Sequence, residues 1–226
     1  MTARGGPLHR SALVAVLVAL LGLGLSSGAK AGAQLEEPLA DKVRSALAAS
    51  VADSAPPRPS FASIEDRLAY LRWLGTTSEK LKKRKSEHVV RVEFLEAVWY
   101  ESKRAGLEPA LVLGLIQVES GFRKYAISVA GARGYMQVMP FWARTIGSGD
   151  PSRLFHMQTN LRFGCVILRH YLDIEKGDLF LALGRYNGSR GRGEYPNAVF
   201  ANRRQWLGDD TLPAASAVAS GAQQGT

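Results

Sequence analysis

One cysteine in 226 residues, Cys165, excludes an intramolecular disulfide and a thiolate metal cluster. The four histidines, His9, His88, His156 and His170, show no ligand spacing, so neither a metal nor any other cofactor is expected. No glycine-rich phosphate loop occurs, and no nucleophilic serine has a histidine partner in view. Strong alternation of apolar and polar residues is missing too, which leaves a mostly helical fold. The apolar run at residues 12–25 is shorter than the ~20 residues a membrane-spanning helix needs. One further absence is local: from Ser120 through Gly149 there is no aspartate or glutamate.

What is present at the N-terminus is a basic stretch with Arg4, His9 and Arg10, then the apolar run, then small residues around Ala29-Lys30-Ala31. That order predicts a cleaved export signal over residues 1–31 and a mature chain beginning near Gly32, outside the cytoplasm and without stable membrane insertion. No cysteine follows the signal to accept a lipid. The whole chain carries 29 basic and 20 acidic residues. Residues 1–31 contribute Arg4, Arg10 and Lys30 and no acid, so the remainder keeps 26 (29 − 3) against 20. A moderately basic exported protein suits a polyanionic wall polymer or a membrane surface; nucleic acid is excluded as a partner by export. A monomer is expected.

Along the rest of the chain, residues 32–60 read as a flexible arm or linker, with a short helix near 39–49 and the proline-rich Ala55-Pro-Pro-Arg-Pro-Ser60. Residues 61–106 read as a helical extension. Within it Ser63 caps a helix to about Leu74, with Leu68, Leu71 and Trp73 in the pattern, and a second helix covers 86–104 with Val92, Leu95, Val98 and Trp99 on one face. Between them Lys80 to Lys85 is a basic cluster, read first as a solvated face and second as an attraction to the wall. Further helices are expected at 109–120, 140–146, 159–176, 179–186 (capped by Asp178) and 194–206. The segment 121–135 is irregular or a small β-hairpin, and residues 207–226 have the composition of a disordered tail.

Glu119 is the residue that does not fit a surface role. Leu111, Val112, Leu115, Ile116 and Glu119 share one helix face, so the carboxylate extends the apolar stripe. A carboxyl group at the end of a buried face, followed by an acid-free loop, suits one kept neutral by desolvation and able to give up a proton near pH 7. Ordinary glycosidases use two carboxylates. Here Asp150, Asp173, Glu175 and Asp178 all sit at helix ends or exposed positions.

The run Glu119-Ser-Gly-Phe-Arg-Lys-Tyr-Ala-Ile-Ser128, the turn Gly131-Ala-Arg-Gly134-Tyr-Met136-Gln137-Val-Met139-Pro140, the segment Asn160-Leu-Arg-Phe-Gly164 and Arg185-Tyr186-Asn187-Gly188-Ser189 occur in order. Together they resemble the catalytic core of soluble lytic transglycosylases, over about residues 107 to 200. Arg185 stands where the family pattern has Ala, and Gly188-Ser189 where it has Ala-Gly. The resemblance implies a lysozyme-like helical catalytic domain, placed here at 107–206, acting on peptidoglycan glycan strands in the periplasm. It implies that Glu119 serves first as acid and then as base on the bond between N-acetylmuramic acid and N-acetylglucosamine. The muramyl 6-hydroxyl closes a 1,6-anhydro ring and the substrate's own N-acetyl group stabilises the cation. Ser128, Met136, Gln137, Tyr186 and Asn187 are the expected substrate-side residues, all but Gln137 with a bland alternative. Ser128 is otherwise a turn serine, Met136 a core residue, Tyr186 and Asn187 an apolar anchor and a helix-end amide. Two alternatives to the transglycosylase remain at this level, a lysozyme-type hydrolase of the same bond and a non-catalytic glycan-binding module.

Overall fold

The computed structural model describes residues 34–52 and 61–208. The export signal, the proline-rich segment and all of the C-terminal tail beyond Gly208 lie outside the described residues. The described chain is mostly helical: α1 (Asp41–Val51), α2 (Ile64–Leu81), α3 (His88–Arg104), α4 (Pro109–Ser120), α5 (Pro140–Ile146), a 3₁₀ turn (Pro151–Phe155), α6 (Met157–Ile174), α7 (Leu179–Asn187) and α8 (Glu194–Trp206). None of these helices is long and apolar enough to cross a membrane.

The caps explain several of the boundaries. Ser63 accepts a hydrogen bond from the Asp66 amide at the start of α2, and Asp178 accepts one from the Leu181 amide at the start of α7. Pro109 opens α4 and Pro140 opens α5, where a missing N–H costs nothing. α2 runs a full two turns past Leu74, because Thr77, Ser78 and Leu81 are buried and packing outweighs the helix-weakening Gly75. The apolar stripe expected to face inward on α2 is split. Leu68 and Leu71 are exposed with Ile64, while Tyr70 is buried and rests against Trp73 and Trp99.

Residues 34–52, read from composition as part of a flexible arm, are seated on the body of the molecule. Leu47 and Val51 of α1 join the core, α1 packs on α5 and α6, and the Trp142 indole donates to the Gln34 amide oxygen at 2.8 Å. Low hydrophobicity hid this: α1 buries only one thin edge, so its sequence looks solvated.

α4 is the axis of the core. Its face was expected to be amphipathic; instead Leu111, Val112, Leu113, Leu115 and Ile116 are all buried, so the helix is enclosed on nearly every side. α8 makes the most extensive of the helix–helix contacts, lying along α4. Gly114 permits the approach: a Cβ there would fall 2.7 Å from the Arg203 amide nitrogen. The segment after α4 holds two isolated antiparallel bridges, Ile127 with Arg133 and Arg133 with Val138, and is irregular otherwise.

Candidate active site

Glu119 stands one residue from the end of α4 and is 5% exposed. The helix stops at Gly121, which takes the left-handed conformation that residues with a Cβ resist. Of the two carboxyl oxygens, Oε1 accepts a hydrogen bond from the Tyr195 hydroxyl at 2.5 Å. Oε2 is buried with no partner among the described residues. Burial pushes the Glu119 pKa up to about 8, against a smaller opposing pull from the Tyr195 hydroxyl. No second carboxylate contributes to that shift. The side chain is therefore protonated at neutral pH, with its free oxygen placed to carry and release a proton.

Tyr195 was not read from the sequence, and nothing local marks it. It lies in the first turn of α8 on the face shared with Val199 and Trp206, where an apolar anchor would be expected. Only the close docking of α8 on α4 brings its hydroxyl to Glu119, 76 positions away in sequence. Tyr186, expected on the substrate side, donates its hydroxyl to the Met136 carbonyl at 2.7 Å. It is still a neighbour of Glu119, whose charge helps to raise the Tyr186 pKa behind the larger effect of burial. Both tyrosines are fully buried.

The turn after Gly131 is locked from α6. Asn160 accepts from the Met136 amide at 2.8 Å, and its Nδ2 donates to the carbonyls of Arg133 and Leu154. Gly134 sits at φ 77°, and a Cβ on it would lie 2.4 Å from that same Asn160 amide. Gln137 also has a positive φ, 49°, an uncommon state for a residue with a Cβ. Its side chain holds the strain in place, donating to the carbonyls of Ala126 and Gly134 at 3.0 and 2.8 Å. Ser120 closes the other side, its hydroxyl donating to the Tyr135 carbonyl at 2.7 Å.

The expected substrate-side residues thus separate. Met136 is fully buried, wedged where a Cβ on Gly164 would touch its sulfur. Gln137 is buried and spends its amide nitrogen on the loop. Ser128 is half-buried and accepts from the Ala132 amide at 3.0 Å, which closes a turn; its own proton is not committed. Asn187 ends α7, donating to the Ser189 hydroxyl at 3.0 Å, and its Oδ1 is buried without a partner. Glu119 and Asn187 therefore each present a buried side-chain oxygen without a partner among the described residues. A cavity of about 660 Å³ lies elsewhere, lined by residues of α1, α3 and α6 such as Lys42, Arg104 and His170, and none of the residues around Glu119 borders it.

Comparison with known proteins places this site in context. Residues 96–206 match the model of the transglycosylase SLT domain. Over 99 residues the chain is 39% identical to the membrane-bound lytic murein transglycosylase C of Actinobacillus pleuropneumoniae serotype 5b, covering 41% of this chain and 24% of that protein. It is 32% identical over 149 residues to the transglycosylase of Enterobacteria phage PRD1, covering 60% of this chain and 54% of the phage protein. The chain thus spans about a quarter of the length of the first and about half of the second. Among solved structures, an inactive mutant of the lytic transglycosylase Slt from Pseudomonas aeruginosa aligns at 22% identity with a TM-score of 0.40, over 62% of this chain and 27% of that one.

Proposed function

We propose that this protein, whose residues 96–206 match the model of the transglycosylase SLT domain, is a peptidoglycan lytic transglycosylase. It cleaves the β-1,4 bond between N-acetylmuramic acid and N-acetylglucosamine and leaves a 1,6-anhydromuramyl end. One observation carries the reading: a single buried carboxyl, bonded through one oxygen to Tyr195 and bare at the other, with its pKa raised to about 8.

The chemistry follows from that geometry. Glu119 Oε2 donates its proton to the glycosidic oxygen as the bond to C1 of the muramyl residue breaks. The substrate's N-acetyl oxygen bonds to C1 and takes up the positive charge. Glu119 is now an anion in apolar surroundings, held by the Tyr195 hydroxyl and strongly basic. It removes the proton from the muramyl 6-hydroxyl, whose oxygen displaces the acetamido group at C1 and closes the anhydro ring. The carboxyl is restored and no water is consumed. Tyr195 orients Oε1 throughout, the Gly131–Gln137 turn fixes the wall opposite, and Ser128 and Asn187 offer polar groups to the sugar. The basic leader-like sequence at 1–31 supports action on wall material in the periplasm.

Glu119→Gln tests this. The amide keeps the shape and cannot transfer a proton, and general acid–base catalysis is worth ~10²–10⁴ in rate. Release of anhydro-muropeptides from purified sacculi, followed by mass spectrometry, should fall at least a hundredfold. A variant keeping more than about a tenth of the wild-type release would remove Glu119 from the acid's role, far above what loss of a proton donor allows. Hydrated muramic ends from the wild type would point to a hydrolase.

A further inference from the structure

Some cations of this molecule are paired with acids and others, in several places, are not; one unpaired group is clustered. On one side, arginines are matched to acids: Arg162 and Arg104 to Glu101, Arg169 to Asp173, Arg185 and Arg190 to Glu175, and Arg203 to Glu108. Around the end of α4 they are not. Among the described residues, no ion pair includes Arg84, Lys85, Arg123 or Lys124, and the sequence from Ser120 to Gly149 supplies no acid that could form one.

These four side chains come from two parts of the chain, and Arg84, Lys85 and Lys124 each lie over an aromatic ring. The Arg84 guanidinium lies 5.6 Å from the centroid of Phe122, three residues beyond Glu119. Lys85 Nζ lies over Phe94 and Tyr135, at 4.9 and 4.6 Å, and donates to the Tyr135 hydroxyl at 2.7 Å. Arg123 Nε donates to the Ser120 carbonyl at 2.9 Å, which ties it to the turn beside the acid. Lys124 Nζ lies 5.2 Å from the exposed Tyr125 ring. Lys85 and Lys124 are close enough that, behind the larger effect of burial, Lys124 lowers the Lys85 pKa. Like charges have been collected and left uncompensated at the end of the helix that carries Glu119. Helix-dipole pairing would account for one of them, since cations favour a helix C-terminus within its last turn. It does not account for Arg84 and Lys124, which contact no carbonyl of α4.

We propose that Arg84, Lys85, Arg123 and Lys124 form a subsite for the carboxylates of the peptide stems attached to the glycan strand. The proposal rests on the peptidoglycan reading above and deepens it. In this proposal the muramyl residue whose bond Glu119 cleaves carries its lactyl-peptide group toward this end of α4. Those groups are the strand's anionic charges. Four cations held by rings and by backbone are prearranged to receive them, with Tyr125 beside them as an exposed flat surface. Electrostatic attraction of this kind raises association by one to three orders of magnitude and weakens with salt.

The test uses the full chain carrying Glu119→Gln, so that substrate persists. Its binding to immobilised stem-bearing glycan strands is compared with binding to strands whose stems an amidase has removed and whose freed lactyl carboxylates have then been converted to neutral amides, at two salt concentrations. Arg84→Glu/Lys124→Glu, two exposed side chains with no hydrogen bond of their own, should weaken binding to stem-bearing glycan about tenfold, the low end of such steering. Binding to stem-free glycan should change little, and the salt dependence should shrink. The neutral Arg84→Gln/Lys124→Gln should fall between, and all variants should melt with the parent. Equal loss on both glycans, or none on either, overturns the subsite. So does a patch that affects binding only to phosphatidylglycerol vesicles, which would make it a membrane-facing surface. Anhydro-muropeptide release by the wild-type chain separates the two layers: its absence strikes the catalytic reading, whereas its presence without stem discrimination strikes the subsite alone.

Discussion

Glu101 on α3 and Glu119 on α4 are carboxyl groups taken out of water to nearly the same extent, 1% and 5% exposed, on consecutive helices. Glu101 is saturated with partners. Arg162 reaches its Oε1 through Nε and Nη2 at 3.0 and 2.8 Å, Gln158 donates to the same oxygen, and Arg104 lies 3.7 Å from the other. Glu119 has one hydroxyl on one oxygen and nothing on the other. The first arrangement fixes α6 against α3. The second stores an unmet demand for a proton. Burial alone does not mark a catalytic acid; burial without a cation does.

That contrast breaks first at Arg162. Arg162→Met leaves Glu101 buried with only Gln158 and the more distant Arg104 beside it, which should cost about 3–5 kcal/mol in urea unfolding. Replacing both Glu101 and Arg162 with apolar residues should recover most of the loss, since neither charge is then stranded. A single variant costing under about 1 kcal/mol would show that the pair is not structural in that sense.

Glu119→Gln should act on stability with the opposite sign. The folded-state pKa of about 8 lies above the ordinary 4.5. The stability that the protonated carboxyl confers is therefore fully present below about pH 4.5 and is lost as pH rises through 8. Glutamine does not titrate, so the variant should match the wild type at pH 4 and gain on it steadily to pH 8. At pH 7 the gain is about 3 kcal/mol, taking about 1.4 kcal/mol per pKa unit. Melting curves that stay parallel from pH 4 to pH 8 would mean the carboxyl is solvated and ionised.

Tyr186→Phe strips the donor from the buried Met136 carbonyl. It should cost about 1–3 kcal/mol in chemical denaturation, with turnover falling mainly through loosening of the Gly131–Gln137 turn. The smallest and sharpest effect is expected of Tyr195→Phe. Its hydroxyl lowers the Glu119 pKa, so its removal should move the alkaline limb of the activity profile upward. Turnover should fall severalfold, because the anion formed after proton donation loses its hydrogen bond. An unmoved alkaline limb would take Tyr195 away from the carboxyl in solution.

The helices were legible because their signals are local. Ser63 and Asp178 cap where they should, Pro140 to Ile146 and Glu194 to Trp206 begin and end as their prolines, charges and apolar positions dictate, and the mostly helical character of the described residues follows from the missing alternation. Glu119 was legible too, because it continues a run of apolar neighbours. The site around it was only half visible. Met136, Gln137 and Tyr186 carry side chains suited to a sugar, and their burial and their hydrogen bonds within the fold could not be read from the chain.

From its sequence alone the chain determines a set of helices, a single anomalous acid and an acid-free loop behind it, since each depends on residues a few positions apart. Tertiary structure decided which tyrosine meets that acid, what Asn160 bolts down, and that α1 is part of the body. These are matters of how helices cross: Gly114 lets α8 close on α4 and bring Tyr195 to Glu119. No local pattern encodes a contact that two helices make only after they have docked.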